Sequence, residues 1–134
     1  MGRPAALALL LALAACRTAT FDEPHVLRLD PPPTDRIEGI LVEELFVTPT
    51  HSASLVTVVA PLPPHYHARH EETVVIVAGT GRMWIDDVAF VMEPGLVVHV
   101  PMGSVHSIEP DGALTALTIF TPPFDGVDRV LLEP

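Results

Sequence analysis

Beyond Asp35 no stretch of the chain keeps a helical period for more than two turns, a constraint that removes helical and mixed folds before any motif is considered. In place of helices come short runs rich in β-branched residues: Ile37 to Val47, Leu55 to Val59, Thr73 to Ala78, Met83 to Ile85, Val88 to Val91, Leu96 to Val100, Val105 to Ile108 and Leu114 to Phe120. Turn signals separate them at Pro61 to Pro64, Gly79-Thr80-Gly81, Asp86-Asp87, Glu93-Pro94-Gly95, Pro101-Met102-Gly103 and Glu109-Pro110-Asp111-Gly112. About eight strands at this spacing describe an all-β antiparallel sandwich or jelly-roll barrel. The clearest hairpin is "GRMWIDDVAFVMEPG", in which Asp86-Asp87 divides two alternating apolar runs.

Apolar residues make up 49% of the 134 and charged residues only 18%, and much of the apolar excess lies at the N-terminus. The segment "MGRPAALALLLALAAC" has Arg3, then an apolar run from Ala5 to Ala15 that is too short to span a bilayer core, which needs about 20 residues. This is the pattern of a secretory signal peptide. Leu13-Ala14-Ala15-Cys16 resembles the lipobox of bacterial lipoproteins; the competing reading is an ordinary signal peptide cut at a small-x-small site such as Ala12-Leu13-Ala14. The resemblance implies lipidation of Cys16, a mature chain beginning there, and stable anchoring through more than one acyl chain. With Arg17 rather than aspartate after the cysteine, it also implies a lipid-anchored protein of the cell envelope, at the outer membrane in a Gram-negative host.

The domain organisation that follows is a leader over 1–15, the lipidated cysteine with a proline-rich linker over 16–36, and a single β domain over 37–134. Pro31-Pro32-Pro33 stiffens the linker, and "HVLRL" within it could add a short edge strand.

Formal charge is −10, from 17 acidic and seven basic side chains, and every basic one is arginine. The basic footprint of a nucleic-acid partner is therefore missing. The chain also lacks lysine, asparagine and glutamine, which removes Schiff-base chemistry and neutral amide donors. Cys16, the single cysteine, permits neither an intramolecular disulfide nor a cysteine-based zinc site. Chemistry is left to His, Asp, Glu, Ser, Thr, Tyr66 or a metal ion.

One stretch concentrates such residues, "PPHYHARHEETVV" at 63–75. On a strand His65 and His67 share a face and can reach one ion. Glu72 alternates with Val74 and Ile76, which turns its carboxylate inward, and a buried carboxylate requires a partner such as a divalent cation. The alternative is a set of exposed loop residues following Pro63-Pro64.

Two motifs resemble those of the cupins. "HYHARHEETVVIVAG" follows His-x-His, three or four residues, Glu, six residues, Gly, with His65, His67, Glu72 and Gly79 in the marked places; that register selects Glu72 over Glu71. "GLVVHVPMGSVH" follows Gly, five residues, Pro-x-Gly, two residues, His, with Gly95, Pro101, Gly103 and His106. Val59 and Pro110 stand where the family often has glycine and asparagine. Over residues 55 to 120 the resemblance implies a single cupin-type double-stranded β-helix, a conical jelly-roll barrel in which His65, His67, Glu72 and His106 converge on one metal.

Three imidazoles and one carboxylate suit Mn, Fe, Ni, Co, Cu or Zn and leave two adjacent positions open in an octahedral ion. The site would keep a formal positive charge, which favours a small anionic chelating ligand such as a hydroxy acid, an enolate or an oxalate-like molecule. Candidates for an acid or base beside it are His70, Glu71, Tyr66, Arg82 and His99. His70, His99 and Met83 are candidate pocket residues, although His70 reads first as an exposed loop residue and His99 as a solvent-facing or satisfied core one. His25 and His51 read as surface residues. Two classes of function stay open: a metal-dependent dioxygenase, isomerase or decarboxylase, and a non-catalytic module that binds a metal or small ligand. Leu41 to Val47 and the C-terminal "VDRVLLEP" are candidate edges for a homodimer.

Overall fold

In the computed structural model of the protein residues 26–132 are described; the leader, Cys16 and His25 lie outside them. Eight strands follow in order: β1 (Ile40–Val47), β2 (Ser52–Val58), β3 (Leu62–Tyr66), β4 (Glu71–Ile85), β5 (Val88–Met92), β6 (Val97–Val100), β7 (His106–Thr121) and β8 (Val130–Leu131). All pairings are antiparallel, and no helix occurs among the described residues.

The two longest strands, β4 and β7, run side by side from Glu71↔Thr121 to Ile85↔His106 and belong to both layers of the barrel. Their Glu71–Gly79 and Leu114–Thr121 halves join β6, β2 and β1 in one layer. The Gly81–Ile85 and His106–Pro110 halves join β5, β3 and β8 in the other. Alternation then drives one face inward. Val74, Ile76 and Met83 of β4, Met92 of β5, Val98 and Val100 of β6, and Ile108, Leu114 and Ala116 of β7 form the core. Full burial of a side chain such as Ile76 or Met83 contributes about 1.5–3 kcal/mol.

Two expected turns are instead bends inside strands. Gly79-Thr80-Gly81 and Glu109-Pro110-Asp111-Gly112 lie opposite each other, with Gly81 paired to Pro110 and register shifts on either side of Gly79. A Cβ at Gly79 would lie 2.0 Å from the main-chain oxygen of Ala113, and φ there is +82°. Glycine lets the two ribbons press together and turn the corner without giving up the ladder. Thus Thr73–Ala78 with Met83–Ile85, and Val105–Ile108 with Leu114–Phe120, are each a single strand.

Strand β3 runs through residues expected as a proline turn. Pro63 and Pro64 are exposed, and β3 contacts β7 with an irregular register between Leu62 and His65, so the missing N–H groups fall where few ladder bonds form. Val26–Leu29 forms no strand, which corrects the expected edge within "HVLRL". Strands β1 and β8 end the path β1-β2-β7-β3-β8.

Gly79→Ala should destabilise the domain by at least about 2 kcal/mol in urea unfolding, since it adds a backbone clash to the left-handed strain. Gly112→Ala, at φ +86° with nothing within 4 Å, should cost only about 1 kcal/mol. Equal effects would contradict the close approach at Gly79.

Candidate metal centre

The pairing of β3 with β7 sets His65 directly opposite His106. His67 follows two residues after His65 and enters from the same side, while Glu72 comes from the start of β4, opposite Val100 and Phe120. All three histidines are buried, and the Glu72 side chain is 12% exposed. One ligand atom from each of His65, His67 and His106 lies within 4.8 Å of the others. The Glu72 Oε2 stands 3.3 Å from His67 Nε2 and 3.2 Å from His106 Nε2.

Each imidazole is oriented by its other nitrogen. Nδ1 of His65 donates to the Pro63 carbonyl at 2.8 Å, Nδ1 of His106 donates to the Ser104 carbonyl at 3.0 Å, and Nδ1 of His67 donates to the Asp128 carbonyl. A carbonyl can only accept, so Nδ1 carries a proton in all three rings and Nε2 is the nitrogen turned inward, where in His67 and His106 it can donate to Glu72 when protonated and in each ring can bind a metal when not. Metal–ligand bonds of 2.0–2.1 Å place neighbouring donors roughly 3.0–3.4 Å apart. The separations of Glu72 from His67 and His106 fall in that range, and the donor set fits a divalent transition metal ion.

Burial acts to raise the Glu72 pKa, but hydrogen bonds and charge from His106 and His67 outweigh it and hold the carboxyl down at about 2. Burial opposes protonation of His67, yet Glu72 and the Asp128 carbonyl raise its pKa overall. His65, desolvated and close to His106, is lowered to about 4. At neutral pH the site therefore offers one carboxylate and an uncharged His65.

The remaining expected site residues separate. His70 is not an exposed loop residue: it is 3% exposed, its Nδ1 meets Asp128 Oδ2 and its Nε2 donates to the Pro123 carbonyl at 3.1 Å. Asp128, in a C-terminal segment read only as a strand edge, accepts from the main-chain N–H of Ala68 at 2.9 Å and of Arg69 at 2.8 Å as well. Burial would raise its pKa, and the donors from His70, Arg69 and Ala68 lower it instead. His99 is not a pocket residue: it points away from the inward Val98 and Val100, is exposed, and stands 3.6 Å from the exposed Glu71. Arg82 is also exposed, and Tyr66 half-buried on the face opposite His65 and His67. His51 is half-buried and bonded to Thr48.

Met83 does line the cavity that reaches His65, His67, Glu72 and His106. Its volume is about 150 Å³, and its wall is mostly apolar, including Val74, Leu114, Phe120 and Phe124. The rings of Phe120 and Phe124 stack at 4.6 Å and both meet His67 edge-on. Arg129 is a charged wall residue that sequence reasoning missed entirely.

The profile of the cupin domain family matches residues 55–120, the span that supplies His65, His67, Glu72 and His106. The chain belongs to the cupin superfamily. An uncharacterized protein of Aquifex aeolicus is 34% identical over 98 residues, covering 72% of this chain and 81% of that one. Quercetin 2,3-dioxygenase of Bacillus subtilis is 35% identical over 72 residues, covering 52% of this chain but only 21% of the enzyme's length. In fold, this cupin is similar to a double-stranded β-helix protein of Klebsiella pneumoniae, with a TM-score of 0.67 at 13% identity, covering 84% of this chain and all of the other.

Asp128→Ala should destabilise the domain by about 3 kcal/mol, because it strips an acceptor from two main-chain N–H groups and from buried His70. Thermal or urea unfolding checks this, and a loss under about 1 kcal/mol would show that the segment is not clamped as described.

Proposed function

We propose that this cupin holds one divalent transition metal ion, one of Mn, Fe, Ni, Co, Cu or Zn, through His65, His67, His106 and Glu72, and takes a small anionic chelating molecule as ligand or substrate. The observation that carries the reading is the turning of all three imidazoles by main-chain carbonyls, so that their Nε2 atoms face inward around one buried carboxylate. When bound, such an ion would supply Lewis acidity and, if octahedral, two open positions. The protein's own part is to keep Glu72 ionised and each Nδ1 protonated, and to limit water around His67 with Phe120 and Phe124.

Attachment to the cell envelope through lipidated Cys16 belongs to the same proposal and rests on the Leu13-Ala14-Ala15-Cys16 sequence. Pairing through the β1 or β8 edge would give a homodimer.

Whether the site turns over is divided by two observations. The similarity to quercetin 2,3-dioxygenase favours oxygen-dependent chemistry on the ligand. Against it, the expected acids and bases are engaged elsewhere: both nitrogens of His70 face acceptors, and Glu71, Arg82 and His99 are at the surface. The second reading is therefore a non-catalytic module that binds a metal or small ligand.

Elemental analysis of purified protein should find close to one transition metal per chain, with His65→Ala and His106→Ala each losing most of it, and labelled palmitate should enter the wild type but not Cys16→Ser. Absence of metal from the wild type, or full retention in both histidine variants, would sink the centre. Oxygen uptake with hydroxy acids and enolates on Fe- or Mn-loaded protein separates the two classes, since tight binding without turnover selects the module.

A further inference from the structure

Arg129 borders the same cavity as His65, Glu72 and His106. Its Nε is shielded from solvent and has no hydrogen-bond partner, and no other buried side-chain polar atom among the described residues is in that condition. No carboxylate among the described residues forms an ion pair with it. A guanidinium N–H that has lost water and gained nothing in return costs free energy, and such an orphan in the wall of a cavity points to a group that arrives from outside.

Its position is fixed from both sides. Asp128, immediately before it, is held by Ala68, Arg69 and His70. Val130, immediately after it, is laddered to Tyr66 of β3. The main chain on either side of Arg129 is thus held before an anion binds, which lowers the ordering cost of the contact.

We infer that Arg129 recognises the anionic group of the ligand, and that the ligand is a small monocarboxylate with an apolar body and a second oxygen for the metal. This rests on the metal-centre reading for the second oxygen only. With a divalent ion bound, the charges facing the cavity are two positive from the ion, one negative from Glu72 and one positive from Arg129, a surplus of two positive. A carboxylate matches the planar fork of the guanidinium. The walls beyond it are mainly Val74, Met83, Leu114, Phe120 and Phe124, with only the hydroxyls of Ser54 and Thr118 added, so the body of the ligand is largely apolar. A volume of about 150 Å³ corresponds to about five waters and admits a single ring. Polyphosphorylated ligands are disfavoured by a lone arginine in a chain of net charge −10.

Salicylate carries this combination of groups, and salicylamide is its neutral analogue. Both are titrated calorimetrically into the wild type, Arg129→Gln and Arg129→Lys, each manganese-loaded and metal-free. The wild type should prefer salicylate by about tenfold or more. Arg129→Gln should erase that preference while leaving manganese content and salicylamide affinity unchanged, and Arg129→Lys should recover part of it. If the wild type takes up no manganese, the metal-centre reading fails by itself, and the carboxylate preference and its loss in Arg129→Gln are still expected in the metal-free protein. A preference that survives in Arg129→Gln, an equal loss of both probes, or no salicylate binding to either form of the wild type overturns the inference.

Discussion

A carboxylate drawn into an apolar barrel must find donors or a cation, and Glu72 meets that demand with the Nε2 atoms of His67 and His106. Those nitrogens face inward because Nδ1 on each ring is committed to a carbonyl, and the carbonyls belong to three separate pieces of chain: Pro63 within β3, Ser104 before β7, and Asp128 near the C-terminus. The centre is therefore a point where distant segments must all be in place at once. An ion entering it would displace protons rather than rearrange side chains.

The barrel supplies this convergence through two bent strands. Because β4 and β7 serve both layers, the bend at Gly79 and its opposite number near Pro110 settle how the half of β4 that carries Glu72 meets the half of β7 that carries His106. The glycine of the first motif thus has a packing role, a backbone approach that any Cβ would block, distinct from the ligand role proposed for the residues before it. The C-terminal segment adds a second support. Asp128 fastens the loop after β3, and in doing so it both orients His67 and delivers Arg129 to the cavity wall.

What could be read from sequence follows from how local each signal is. Alternation gave His65 and His67 one face and turned Glu72 inward, because short-range geometry decides the direction of a side chain, whereas their convergence with His106 was what the resemblance carried by the two motifs implied. The extents of β3, β4 and β7 were not legible in the same way. Glycine and proline mark turns when read alone, and only the facing ribbon shows that here they bend a strand without ending it. His70 and Asp128 could not be paired in advance, since 58 positions separate them and neither lies in a motif. Arg129 gave no signal beyond being an arginine in a short C-terminal strand region. Its significance comes from burial without a partner, which only the folded chain displays.

The central claim is that three Nε2 atoms and the Glu72 carboxylate form one metal site. Anomalous diffraction from crystals of the protein grown with manganese tests it most directly. The account predicts a single strong internal peak about 2.0–2.2 Å from Nε2 of His65, His67 and His106 and from a Glu72 oxygen, with every Nδ1 still on its carbonyl. A peak bound through Nδ1, a peak away from these four residues, or no internal peak at all would contradict it.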